Sequence, residues 1–161
     1  MIARCSCGKV EYEAKGAPIL RVACHCADCR EGSRRLEALP GAAPILDRYG
    51  GTFFVAYRKD RFRCSKGKEL LKIVQVEEGS PKRFFASCCG SAMFADAGRR
   101  MHWFSVYRGC LQGEVPPLQM RINVKSTPGS EVPRDVPCSS SFPLGFLARL
   151  LTSRLAMVFS R

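Results

Sequence analysis

Histidine is scarce in this sequence, with two among 161 residues. They stand at positions 25 and 102, too far apart to close a zinc finger together, and no RNA-binding signature is present either. Acidic residues are also few: 14 stand against 26 lysines and arginines, for a formal net charge of +12. If seven cysteines held two divalent ions as thiolates, the balance would still be roughly +9. A basic surface attracts nucleic acid, anionic lipid or small anions alike, so charge alone selects no partner and implies no specific nucleic acid. The opening stretch, MIARCSCGKVEYEAKG, lacks the long apolar run of a secretory signal. The expectation is a cytoplasmic protein whose ten cysteines are reduced thiols or metal ligands, not a disulfide scaffold. No internal repeat of fixed period occurs.

What the chain does have is a series of short runs rich in β-branched and aromatic residues. KVEYEAKG (9–16) alternates and ends at a glycine, and PILRVACHC (18–26) runs directly into a cysteine cluster. TFFVAY (52–57), RFRCS (61–65), LLKIVQVE (70–77), KRFFAS (82–87), HWFSVYRGCL (102–111) and LQMRINVK (118–125) continue the series. DCREGSRRLEAL (28–39) reads as a short helix or an irregular loop, and PGAAP breaks the chain after it. This pattern predicts a mostly β, mainly antiparallel domain over 1–125.

The composition shifts after Lys125. Residues 126–141 are rich in proline and serine and read as a linker that need not fold. Residues 142–161 place Phe146, Leu147, Leu150, Leu151 and Leu155 at helical spacing, with Arg149, Arg154 and Arg161 as positive charges. The segment is short for a membrane span and carries arginines inside it. It reads as a C-terminal amphipathic helix docked on the domain or on a second subunit of an oligomer, or as a membrane-surface helix.

The cysteines carry the chemistry. Cys24, Cys26 and Cys29 form a C-x-C-x-x-C group in ACHCADCR. In an extended run the first two point to one side, and the following turn brings the third round to meet them. Three thiolates would hold zinc at about 2.3 Å each and leave one tetrahedral position open, the arrangement of catalytic zinc. His25, between two of them, should point away. Cys5 and Cys7 are a second same-face pair that needs partners from elsewhere, most naturally Cys88 and Cys89 in ASCCGSAMF. Neighbours in a strand face opposite ways, so both can reach one ion only if the chain turns sharply before Gly90. A four-cysteine site, a three-ligand site completed by another group, and no metal at all stay open there. Cys64 and Cys110 read as core residues, Cys138 as an exposed thiol, and His102 as a hydrogen-bonded structural histidine or a base near a site.

The ordered set of C-x-C-G (5–8), C-H-C-x-x-C (24–29) and C-G-S-x-x-F (89–94) resembles the glutathione-dependent formaldehyde-activating enzyme family, also called CENP-V/GFA, over roughly residues 3–112. The resemblance implies a β-tent of several small curled antiparallel sheets around zinc. It implies a structural zinc on Cys5, Cys7 and Cys89, and a second, exchangeable zinc on Cys24, Cys26 and Cys29. The chain departs from the family at Ala86, where the late C-x-x-C would need cysteine, and Cys88 is the substitute. The implied activity is that of a carbon–sulfur lyase joining glutathione and formaldehyde as S-hydroxymethylglutathione. Arg30, Arg34 and Arg35 follow the triad and are candidates to meet the glutathione carboxylates, or form a solvated basic face. Asp28 is a candidate base or a helix cap. A zinc-stabilised module that binds a partner or membrane without catalysis is the alternative.

Overall fold

The computed structural model describes residues 1–126 and 132–159; residues 127–131 of the linker, Ser160 and Arg161 lie outside the described part. The β-branched and aromatic runs form strands, as their composition favours. In chain order these are β1 (Ile2–Arg4), β2 (Glu11–Ala14), β3 (Leu20–Cys24), β4 (Thr52–Arg58), β5 (Phe62–Lys66), β6 (Leu71–Val74), β7 (Lys82–Ala86), β8 (Ala92–Asp96), β9 (Trp103–Tyr107) and β10 (Met120–Ile122). Helix α1 (Ala27–Glu37) follows β3, and α2 (Leu144–Phe159) ends the described chain. The mostly β expectation holds. The strands form two sheets: β1-β2-β5 and a seven-stranded β10-β3-β4-β9-β8-β7-β6. One pair, β10 with β3, is parallel.

The two sheets meet through aromatic side chains. Tyr12 of β2 stacks on Phe62 of β5 at 4.9 Å between ring centroids. Phe94 of the larger sheet lies 5.2 Å from Tyr12 and 5.4 Å from Phe62. Phe84 and Phe104 flank Phe94 at 4.6 and 4.9 Å. Such offset and tilted pairs add to the burial of apolar area that holds the sheets together. Strand β4 is buried along all but one of its residues, in keeping with its interior place between β3 and β9 in the larger sheet.

This architecture delivers the end of β3 to a crowded corner. Cys24 pairs with Thr52 of β4 on one side and Ile122 of β10 on the other. The chain then turns into α1, whose N-cap is Cys26: its Sγ accepts the Cys29 N–H at 3.4 Å. The cap expected of Asp28 is thus supplied by a thiol, because the helix starts one residue before Asp28. The helix buries Gly32, Ser33 and Leu36, and the Ser33 and Thr52 hydroxyls meet at 2.8 Å.

The described part of the proline- and serine-rich stretch is tied down. Arg121 N–H donates to the Pro137 carbonyl and Ser139 N–H to the Arg121 carbonyl, each at 2.9 Å. The Arg121 guanidinium pairs with Asp135 at 3.1 Å. The unpaired outer edge of β10 supplies these partners, which composition alone does not show. Helix α2 docks on the domain through Phe146, which is buried, and through a 3.2 Å hydrogen bond between Ser153 Oγ and His102 Nε2. No described helix is long and apolar enough to cross a membrane.

Candidate metal centres

Two groups of thiols converge. The first joins Cys5, Cys7, Cys88 and Cys89, whose sulfurs all lie within 4.8 Å of one another. The separations are 3.6 Å for Cys5–Cys7, 4.0 Å for Cys5–Cys88, 3.3 Å for Cys7–Cys88 and 4.0 Å for Cys88–Cys89. A tetrahedral ion with sulfur at 2.3 Å sets its ligands about 3.8 Å apart. The spacing and the donor type therefore suit zinc.

Each half of this group is a tight turn. In the first, Cys5 N–H donates to the Val10 carbonyl, Gly8 N–H to the Cys5 carbonyl, and Val10 N–H to Cys5 Sγ at 3.2 Å. The second joins β7 to β8. Cys89 and Gly90 N–H both donate to the Ala86 carbonyl, at 3.2 and 2.8 Å, and Gly90 has φ of 72°. This left-handed turn lifts Cys88 and Cys89 out of the opposed geometry of a strand and aims both inward. A β-carbon at Gly90 would stand 2.5 Å from the Pro40 carbonyl oxygen, so only glycine is accommodated. Ala86 faces the core, fully buried.

Ser6 and Ser91, which the cysteine spacing does not single out, support the cluster. Ser91 Oγ lies 3.2 Å from Cys89 Sγ and 3.1 Å from Ser6 Oγ, and it accepts the Ser6 N–H at 2.9 Å. Burial works against ionisation of Cys89, but hydrogen bonds from Ser6 and Ser91 outweigh it and bring its pKa down to about 5. Burial and the Cys7, Cys89 and Cys5 thiols push Cys88 up to about 12. A divalent cation between them would favour the thiolate form of both.

The second group is Cys24, Cys26 and Cys29, again within 4.8 Å, with Cys24 and Cys26 Sγ 3.4 Å apart. It sits at the N-terminus of α1, where the helix dipole favours anions. The Cys24 and Cys29 thiols and the Cys29 backbone N–H hold the Cys26 thiol far below its usual range. Cys29 is raised by Cys24, Cys26 and burial, and Cys24 chiefly by Cys26. Three thiols of suitable spacing, with no fourth Cys, His, Asp or Glu grouped with them among the described residues, match a three-thiolate site.

Two further residues complete this centre, and sequence spacing reveals neither. Arg83 of β7, 1% exposed, pairs with the Asp28 carboxylate and donates to the Asp28 and Pro81 carbonyls at 2.9 and 3.0 Å. In KRFFA it stands beside a second cation, Lys82, so the sequence gives no hint that it is the buried one. Asn123, which follows β10, points Nδ2 at Cys24 Sγ from 3.5 Å with φ of 57°. It arrives through the parallel β10–β3 pairing, which no local pattern encodes. Asn tolerates this left-handed conformation better than most residues.

The other candidates fall outside the two clusters. His25 is fully buried, and a β-carbon at Gly51 would lie 2.7 Å from its Nε2. Burial lowers its pKa, with Asp47 opposing. Arg34 is exposed and Arg30 half-buried, while Arg35 donates to Glu31 at 2.9 Å and to the Gln75 and Val76 carbonyls at 2.9 and 3.0 Å. Cys110 is buried with its Sγ against the Tyr107 carbonyl, Cys64 is half-buried, and Cys138 is exposed.

No curated protein matches the sequence. Among solved structures, the fold is similar to that of a Rhodobacter sphaeroides protein, with a TM-score of 0.50 and 24% identity over 72% of this chain and 92% of that one. The sequence model of the glutathione-dependent formaldehyde-activating enzyme family matches residues 1–42, the segment that carries Cys5, Cys7 and the whole Cys24–Cys26–Cys29 group.

Proposed function

We propose that this protein is a divergent member of the glutathione-dependent formaldehyde-activating family, with two thiolate zinc centres. Cys5, Cys7, Cys88 and Cys89 hold the structural ion, and Cys24, Cys26 and Cys29 hold the second. The observation that carries this reading is the convergence of three thiols at the N-terminus of α1, inside the segment that matches the family. Zinc bound there supplies an open position that lowers the pKa of an incoming thiol. The chain's own residues keep the centre ionised and oriented. The helix N-terminus and Arg83 offset the negative charge, and Asn123 fixes Cys24.

The reaction is addition of a small thiol, glutathione, to an aldehyde, formaldehyde. A sulfur–carbon bond forms at the carbonyl carbon and the thiol proton ends on the carbonyl oxygen, giving S-hydroxymethylglutathione. The reverse direction breaks that bond, which makes the class a carbon–sulfur lyase. Arg30 and Arg34, which follow the triad, would meet the glutathione carboxylates. Ten free cysteines suit a reducing, cytoplasmic setting. Aldehyde–thiol exchange measured by two-dimensional exchange NMR tests the activity. The protein should raise the rate above background, and Cys26→Ser should remove the increase while keeping the fold. Equal rates with and without protein would sink the enzyme reading.

One observation favours a second reading, a zinc-stabilised module without catalysis. Asp28 is occupied by Arg83, and His25, the histidine beside the triad, is sealed from solvent, so neither is placed to move a proton. Unchanged exchange rates together with two bound ions would select this reading.

A further inference from the structure

Helix α2 is apolar on two opposite sides, and the domain covers only one. Phe146, Leu150, Ser153 and Met157 form the inner side, at successive steps of four, three and four residues. Phe146 is buried, Leu150 packs on the core, and Ser153 bonds His102. Leu144, Leu147, Leu151, Leu155, Val158 and Phe159 form the outer side and are exposed, Leu144 at 85% and Leu151 at 60%. A helix apolar all round is normally buried all round. A continuous exposed stripe of this kind marks a binding face rather than ordinary surface.

The charges around the stripe say what covers it. Arg149 and Arg154 lie on its two flanks, both exposed, and α2 contains no acidic residue. Arg99 and Arg100 stand beside Arg154, which donates to the Arg100 carbonyl at 3.1 Å, and Arg61 lines the same hollow as Arg149. The nearby acids are spent: Asp96 pairs with Lys59 at 2.6 Å and Asp60 with Arg58 at 2.5 Å. A second copy of the chain would bring these arginines against their own kind, on a protein of formal charge +12. An acidic bilayer offers hydrocarbon for the leucines and phosphates for the arginines at the same depth.

We propose that the outer face of α2 docks the protein on acidic phospholipid membranes, with the helix lying in the interface between bilayer and domain. This inference stands independently of the zinc chemistry. It is tested by co-sedimentation of the full chain with vesicles of phosphatidylcholine alone and of phosphatidylcholine mixed with phosphatidylglycerol. The chain should partition onto the mixed vesicles and be released by salt. Arg149→Gln with Arg154→Gln should weaken partitioning about 30-fold, near 5-fold for each arginine. Leu147→Gln with Leu151→Gln should abolish it while circular dichroism stays unchanged, since both side chains are exposed. Binding to neither vesicle would overturn the proposal. So would a dimer in sedimentation velocity that the Leu147/Leu151 variant dissolves, which would assign the stripe to a second copy.

Discussion

Replacing Gly32 by alanine should destabilise this protein, although the same change inside an ordinary helix stabilises it. Gly32 lies mid-way along α1 and is buried. By helix propensity alone, alanine there is worth about 1 kcal/mol. The Arg83 side chain, however, lies flat against the glycine: a β-carbon would stand 2.6 Å from Cδ and closer still to Nε and Cζ. Arg83 cannot swing away into solvent, because it is 1% exposed and tied to Asp28 and to two carbonyls. Breaking a buried ion pair from one side costs about 3 kcal/mol at the low end, and the low end applies since the Asp28 side chain keeps 34% of its surface in water. The net effect should be a loss of about 2 kcal/mol, seen as a melting temperature lower by roughly 4–8 °C for a chain of this size. Chemical denaturation of zinc-loaded protein measures it. The decisive control is the double mutant: in an Arg83→Met background the clash is gone, so Gly32→Ala should become stabilising. If Gly32→Ala stabilises the wild type, then Arg83 is not packed against α1 as described, and its support of the Cys29 side of the triad fails with it.

Two other outcomes follow from the same geometry. Cys88→Ser should remove one bound ion by elemental analysis and Cys26→Ser the other, while Cys64→Ser removes none; full metal content in Cys88→Ser would dismiss the four-thiol centre. Burial pushes the Asp47 pKa upward, but the N–H groups of Gly51 and Tyr49 and the Arg121 guanidinium outweigh it and leave it below the usual carboxylate value. A lowered native pKa means that its stabilisation is complete above about pH 4 and is lost as pH falls through the native value. Asp47→Asn should therefore be less stable than wild type at neutral pH, with the two urea-unfolding curves converging in acid. Parallel curves at all pH values would dismiss this contribution.

Legibility of the fold followed the range of the interactions. Runs such as TFFVAY and LLKIVQVE announce strands because their composition suits a pleated surface; β4 covers the first and runs one residue past it, and β6 lies inside the second. β8 was not announced. It is sandwiched between β7 and β9 and buried along its three central residues, so SAMFAD shows no alternation and follows a cysteine pair that draws attention elsewhere. β1 has three residues, too few for any period to emerge. For α2 the helical spacing was plain but its orientation was not. The leucine-rich side that composition would turn inward faces out, because Phe146 and the Ser153–His102 bond decide the docking.

The two thiol clusters show the same division. C-x-C and C-x-x-C place their thiols together by local geometry alone, so the triad could be read from eight residues. Its support comes from Arg83 and Asn123, brought in by strand pairings distant in the chain, and no spacing rule reaches that far. The adjacent Cys88 and Cys89 fall between these cases. As strand residues they would diverge, and the sequence warned of that. The deciding element is one residue further on. Gly90, at φ of 72° and with no room for a β-carbon beside Pro40, closes the chain onto the Ala86 carbonyl and turns both thiols to Cys5 and Cys7. A Gly90→Ala variant would therefore strike the four-thiol cluster without touching a cysteine. It is the turn, more than the number of cysteines, that makes a vicinal pair do the work of a spaced one.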